Sequence, residues 1–398
     1  MRRSSGGPIL IPIRQFATLA LAATIALQAG AEGRFEAQIA SVEALRGKKF
    51  TAEVKHETIE RAELRTFLRA QIERDLLQGT DGYLDALKAL YLVDGAVTID
   101  PLLDLYDAQV LAFYDPAKHV YYALDEPPSG IPMPAVMVEA VQVHELMHAL
   151  QDQAFGAGAR TISLQADWDA ALAYQSLLEG EATLVMLAHL GEKMGADLET
   201  MIAQEGMVDA LRDAAERGDS IPAGIPRYFV DSLQFPYVDG LVFVLDAYRA
   251  GGWKALDAIH ANPPVSTEEI LRPELYRERV AGTGRPAHAT AEATGSELLR
   301  TVLGEFHWRF LLGEDAGEGW ESDRVVVRRG KGGATVMVDS SWDSAADAGE
   351  FAEAIGPLLE EKGAPNVRIA TLGARVIVAW GADAKAIRKF VPAAGRPR

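Results

Sequence analysis

The run His144-Glu145-Leu146-Met147-His148 constrains the fold more than any other stretch of the chain. Imidazoles four residues apart come to one point only on an α-helix, where positions i and i+4 share a face. Glu145 then stands one step round, beside whatever the two rings hold. Rings so placed bind a zinc ion, and the carboxylate takes a proton from a water molecule on it, which is the chemistry of metal-assisted hydrolysis. The segment is therefore expected to be a buried helix. A second element must approach it to complete the protein ligands, because a hydrolytic zinc usually keeps three of them and a water.

Ile131-Pro132-Met133-Pro134 supplies a helix start, and Ala135 to Leu150 is apolar on nearly every side. Two histidines and a glutamate in such surroundings are costly without partners. The next long helix is read over Asp167 to Leu190 and carries Leu178-Glu179-Gly180-Glu181-Ala182-Thr183. Glu179 and Glu181 stand about 200° apart on it, so only one of them can face a metal. Both faces are apolar, Glu179 sharing one with Trp168, Leu172, Met186 and Leu190, and Glu181 lying among Ala170, Tyr174, Leu177, Leu184 and Ala188. Burial alone leaves the choice open.

The helix sequence H-E-L-M-H-A-L-Q-D-Q, the upstream A-F-Y-D-P and the downstream E-G-E-A resemble the gluzincin clan of zinc metallopeptidases, in particular exported bacterial members. The resemblance extends through F-P-Y at Phe235 to Tyr237, P-P-V-S-T-E-E-I-L-R-P-E at Pro263 to Glu274 and W-D-S-A-A-D-A-G-E-F at Trp342 to Phe351. It implies an α+β protein with a mostly helical, zincin-like catalytic core and a small antiparallel sheet or hairpin. It further implies Zn2+ as cofactor, a peptide or protein as substrate, and a glutamate on a later helix as third ligand. Glu179, Gly180 and Ala182 fill the clan's E-G-x-A pattern, so the metal set becomes His144, His148 and Glu179, with Glu181 as the alternative and Glu145 as general base. Gly180 would let this helix approach a neighbour closely. One position departs from thermolysin-like members, which carry an aspartate four residues after the ligand glutamate to orient a histidine; here it is Thr183. Another partner must do that work, and Asp152 is the candidate. Tyr237 is the candidate for stabilising the oxyanion. His260 and His307 suit that task too, but each reads more readily as a structural histidine, and His189 as core.

The 398 residues carry a formal charge of −18, which excludes phosphate backbones and anionic lipid as main partners. Arg2, Arg3 and Arg14, the apolar run Phe16 to Leu27 and the small residues Ala29-Gly30-Ala31 read as a secretory signal peptide over 1–31. Its run is shorter than the roughly 20 residues that span a bilayer, so no stable membrane insertion is expected after cleavage. An exported protein, periplasmic or secreted, follows. The chain has no cysteine and so no disulfide, leaving stability to packing and the metal.

Four segments are expected: the signal, an N-terminal helical lobe with one strand over 32–107, a metallopeptidase core over 108–312 and a small C-terminal α+β unit over 320–398. In the lobe, Lys49 to His56 alternates like a strand, and Thr58 would cap the helix after it. Ala108 to Tyr114 and His119 to Leu124 read as a hairpin about Asp115-Pro116-Ala117-Lys118, whose free edge could take an extended peptide. Asp197 to Arg217 is read as a helix ended by Gly218-Asp219, and Phe229 to Ala250 as one that stops at Gly251-Gly252. Gly313 to Gly319 reads as a linker, followed by strands at 324–328, 335–339, 367–371 and 375–380 with helices at 344–361 and 383–391. The reading that competes with a peptidase is a non-catalytic, zinc-containing binding or scaffold protein of the cell envelope.

Overall fold

The computed structural model describes residues 31–76, 79–125, 134–204, 206–217, 224–283 and 297–392. The expected signal over 1–31 lies outside them apart from Ala31, as does the Gly218-Asp219 helix stop. In chain order, α1 (Ala31–Arg46) leads to β1 (Lys55–Ile59), α2 (Arg61–Asp75), α3 (Gly79–Ala89) and α4 (Asp100–Gln109). Then come β2 (Ala112–Asp115), β3 (Val120–Leu124), α5 (Ala135–Phe155), α6 (Ala157–Leu164), α7 (Trp168–Met194), α8 (Leu198–Ile202) and α9 (Met207–Arg217). They are followed by α10 (Arg227–Ala261), α11 (Thr267–Leu271), α12 (Pro273–Val280), β4 (Glu297–Thr301), α13 (Gly304–Leu312) and α14 (Glu314–Gly317). The chain closes with β5 (Trp320–Gly330), β6 (Gly333–Trp342), α15 (Ala345–Glu361), β7 (Arg368–Leu372), β8 (Arg375–Gly381) and α16 (Ala384–Phe390). This is an α+β protein with a mostly helical core. None of its described helices is long and apolar enough to cross a membrane.

Helix α7 is the centre, with α1, α5, α6, α8, α10, α11 and α13 all packed on it. Asp167 caps its first turn by accepting from the Ala170 amide, and Gly195 ends it in the left-handed conformation. Against α10 the two backbones touch. A Cβ at Gly180 would lie 2.3 Å from the Gly240 carbonyl oxygen, and one at Gly240 would lie 2.2 Å from that of Ser176. Gly240→Ala is thus expected to force the two helices apart, at about 1–3 kcal/mol. Thermal unfolding measures this, and a variant that melts with the wild type would contradict the close contact.

Helix α10 continues past its expected stop. Gly251 and Gly252 break the helical conformation, Gly252 at φ 62° and ψ −156°, and the chain then resumes the helix to Ala261. The resumed turns bring Trp253, Asp257 and His260 back toward α1 and α7.

The N-terminal segment packs against the helices that follow it. Val42 of α1 lies in one apolar cluster with Val143, Leu146 and Leu150 of α5 and with Ala182 and Val185 of α7. Strand β1 pairs in parallel with β3, which pairs antiparallel with β2, so the expected hairpin gains a parallel third strand. That strand starts six residues after Lys49, and Thr58 sits inside it opposite Ala123 rather than capping a helix. The stretch from Phe50 to Val54 is irregular, with Phe50 half-buried and Val54 buried but Ala52 between them exposed. Its backbone is satisfied by Gln153 of α5, which accepts from the Thr51 and Ala52 amides (2.8 and 3.0 Å) and donates to the Ala52 carbonyl (3.1 Å).

The five C-terminal strands form an antiparallel sheet in the order β4-β5-β6-β8-β7. Val325, Val327, Val336, Val338, Val376 and Val378 face the main core with Phe351 and Ile355 of α15, while Val326, Met337, Ile377 and Ala379 meet Ile387 of α16. The sheet begins before the expected linker, since β4 is its edge strand and α14 lies within 313–319. Asp323 of β5 fastens the join: its carboxylate accepts from the Leu303 and Gly304 amides and from the indoles of Trp308 and Trp320, at 2.9 to 3.0 Å.

Candidate metal centre

Helix α5 presents His144 and His148 with their Nε2 atoms 3.2 Å apart. Glu179 reaches them from α7, its Oε2 lying 3.0 Å from Nε2 of His144 and 3.3 Å from that of His148. These are the three groups of the described residues that converge as a metal-ligand set. Their separations fit a small tetrahedral cation, since ligands at about 2.0–2.1 Å from a centre stand roughly 3.3 Å from one another. Two imidazole nitrogens and a carboxylate oxygen also suit zinc chemically.

Glu181 lies elsewhere. Fully buried, it accepts from Nε of Arg46 (2.6 Å), pairs with Nε2 of His260 (2.7 Å) and accepts from the Gln151 amide (2.8 Å). Burial opposes its charge, but His260 and Arg46 hold its pKa well below the usual carboxylate range.

Glu145 points toward β2. Burial raises its pKa, while His144 and His148, and to a smaller degree the nearby Tyr114 backbone, lower it. The Tyr114 hydroxyl donates to Asp152 of the same helix at 2.8 Å, which holds β2 to α5. Asp152 therefore does not orient a metal-site histidine. It binds Tyr114, His119 (2.9 Å) and the Gly158 amide (2.9 Å), fastening the hairpin turn to the α5–α6 elbow. Nδ1 of His148 meets Oε1 of Gln151 instead, at 2.9 Å.

Tyr237 of α10 lies with its ring nearly parallel to that of His144, centroids 5.8 Å apart, and is 38% exposed. Partial burial, together with the charges of Glu179 and Glu145, pushes its pKa up. Tyr106 of α4 is raised by burial and by Glu179. Three further histidines of the described residues have other partners. His307, which burial pulls down to about 4, bonds the Leu303 carbonyl and Tyr228; His260 stacks on Phe155 at 3.8 Å; His189 meets Ser41 at 2.9 Å. His119 occupies the hairpin turn at φ 55°.

Sequence reasoning missed Gln151, Arg46, Tyr114 and Tyr106. Gln151 had a signal, because a side chain three residues after a ligand on the same helix can reach its ring. Arg46 had none.

Residues 288–389 match the family model of a domain of unknown function, DUF8575. Comparison with curated proteins gives no match. Among solved structures the chain is similar to a protein from Chloroflexus aurantiacus, provisionally described as a hydrolase with a novel fold. The two share 19% identity at a TM-score of 0.43, over 68% of this chain and 97% of that one.

Proposed function

We propose that this protein is an exported zinc-dependent hydrolase of peptide bonds, with His144, His148 and Glu179 as metal ligands and Glu145 as general base. The observation that carries the reading is the meeting of those three donors beside a half-buried carboxylate that is not one of them. Zinc, when bound there, would activate a water molecule and polarise the substrate carbonyl. Glu145 takes the proton of that water on its carboxylate and passes it to the leaving amine. Burial raises its pKa from the ordinary carboxylate value toward the working range of a general base. Tyr237, whose ring lies beside that of His144, would donate its hydroxyl to the developing oxyanion.

The substrate class follows from β2. Only β3 pairs with it among the described strands, and the Leu124 amide bonds the Leu111 carbonyl across that pair at 3.1 Å. The alternation of a strand then turns the backbone of Ala112 and Tyr114 to the other edge, beside Glu145. An extended peptide can add there by main-chain hydrogen bonds. Export to the periplasm or beyond rests on the leader at 1–31.

Digestion of a peptide library by the purified mature chain tests the proposal. Cleavage should stop with a chelator and return with added zinc. A protein that binds zinc yet cleaves nothing would instead be a zinc-containing binding or scaffold protein of the cell envelope.

A further inference from the structure

We propose that Arg46, Glu181 and Gln151 form a positioning chain that fixes the ring of His148, making helix α1 a working part of the metal centre. The role toward a metal rests on the zinc reading above, whereas the chain itself does not. The orientation of the Gln151 amide is set by its surroundings. Its Nε2 lies 3.0 Å from the Leu178 carbonyl oxygen and 2.8 Å from Oε2 of Glu181, and both of these only accept. The NH2 group must therefore be on that side, and Oε1 must face Nδ1 of His148 at 2.9 Å. An acceptor there requires the proton on Nδ1, so the neutral ring turns the lone pair of Nε2 toward His144 and Glu179.

Glu181 can polarise Gln151 only while it stays in place. Arg46, the last residue of α1, holds its other oxygen at 2.6 Å, and His260 shares the first at 2.7 Å. The guanidinium is itself fixed, 4.9 Å from the Trp253 ring centroid and 2.7 Å from Asp257. Gln151 and Glu181 are 0% exposed and Arg46 is 1% exposed, so water cannot take over any link. At Thr183, where thermolysin-like metallopeptidases have an orienting aspartate, the buried hydroxyl has no hydrogen-bond partner among the described residues. The orienting task has passed to the ligand helix and is anchored on α1. If α1 undocks, Arg46 leaves and Glu181 is free to turn.

Zinc affinity, by competition with a chromophoric chelator, and the imidazole N–H proton resonances of the metal-free protein test this together. Gln151→Met should weaken zinc binding about 10–100-fold and abolish the hydrogen-bonded His148 Nδ1–H resonance. Arg46→Met should shift both in the same direction by less, and Arg46→Lys should restore most of the loss, because an ammonium can still pair with Glu181. Should Gln151→Met not fold, Glu181→Gln keeps the shape without the charge and should lower zinc affinity about tenfold, the lower end of the outer-partner range. Folded Gln151→Met with wild-type affinity, or a wild-type His148 whose Nδ1 bears no proton, overturns the proposal. A wild type that takes up no zinc but shows the Nδ1–H resonance, lost in Gln151→Met, removes the zinc reading and leaves the positioning chain standing.

Discussion

Glu145→Gln is expected to leave zinc bound and the fold intact while lowering peptide hydrolysis by roughly 10²–10⁴-fold or more, the usual contribution of a general base. The carboxylate is not among the three converging ligands, so its loss removes no donor from the metal. The amide has the same shape and keeps an acceptor oxygen. What it cannot do is take a proton at neutral pH. Because burial penalises the charge of Glu145, the neutral amide should melt no lower than the wild type. Metal analysis, thermal melting and initial cleavage rates measure the three parts separately. Wild-type turnover in the zinc-loaded variant would falsify the proposed mechanism.

The second large effect separates the two glutamates of α7. Glu179→Ala removes one of three donors that stand about 3 Å apart, and zinc affinity should fall by more than the ~10–100-fold typical of an outer partner. Glu181→Ala strands Arg46 and His260 in a buried site, leaving one to Asp257 and the other to its stacking on Phe155. Removing one member of a buried ion pair costs about 3–5 kcal/mol, so this variant should lose mainly stability. Its zinc affinity should fall only as far as loss of an orienting group allows. Isothermal titration with zinc, set beside urea unfolding of the metal-free proteins, reads both quantities. Affinities in the opposite order would make Glu181 the ligand.

Much of the architecture was legible because it follows from local physics. The α5 and α7 helices announce themselves by long apolar stretches between start and stop signals, and the C-terminal strands by alternation against turns. Where the pattern misled, a side chain from elsewhere had met the needs of the backbone. Phe50 to Val54 alternates like a strand, yet Gln153, about a hundred residues later, supplies its hydrogen bonds. Strand β4 went unread because Glu-Leu-Leu-Arg-Thr does not alternate cleanly and its partner lies beyond the glycine-rich stretch. At Gly251-Gly252 the glycines mark a real break, but a break in direction rather than an end.

The site divides in the same way. His144, Glu145 and His148 are readable because their spacing is itself the geometry. The choice between Glu179 and Glu181 was not, since each lies on an apolar face and only the rotation of α7 against α5 decides which one meets the histidines. Arg46 was invisible, its partner Glu181 being 135 residues away on another helix. Asp152 shows the limit of spacing arguments: it follows His148 by one helical turn, but its carboxylate is taken by Tyr114, His119 and the Gly158 amide.

The most direct test of the central claim is X-ray absorption at the zinc edge of the zinc-loaded protein, with and without an inhibitor bearing a zinc-binding group. Two imidazole nitrogens at about 2.0–2.1 Å, two oxygens at roughly 2.0–2.2 Å from Glu179 and a water, and no sulfur are expected. The inhibitor should displace the water oxygen. Failure to take up zinc, or a centre closed by four protein ligands that the inhibitor does not perturb, would contradict it.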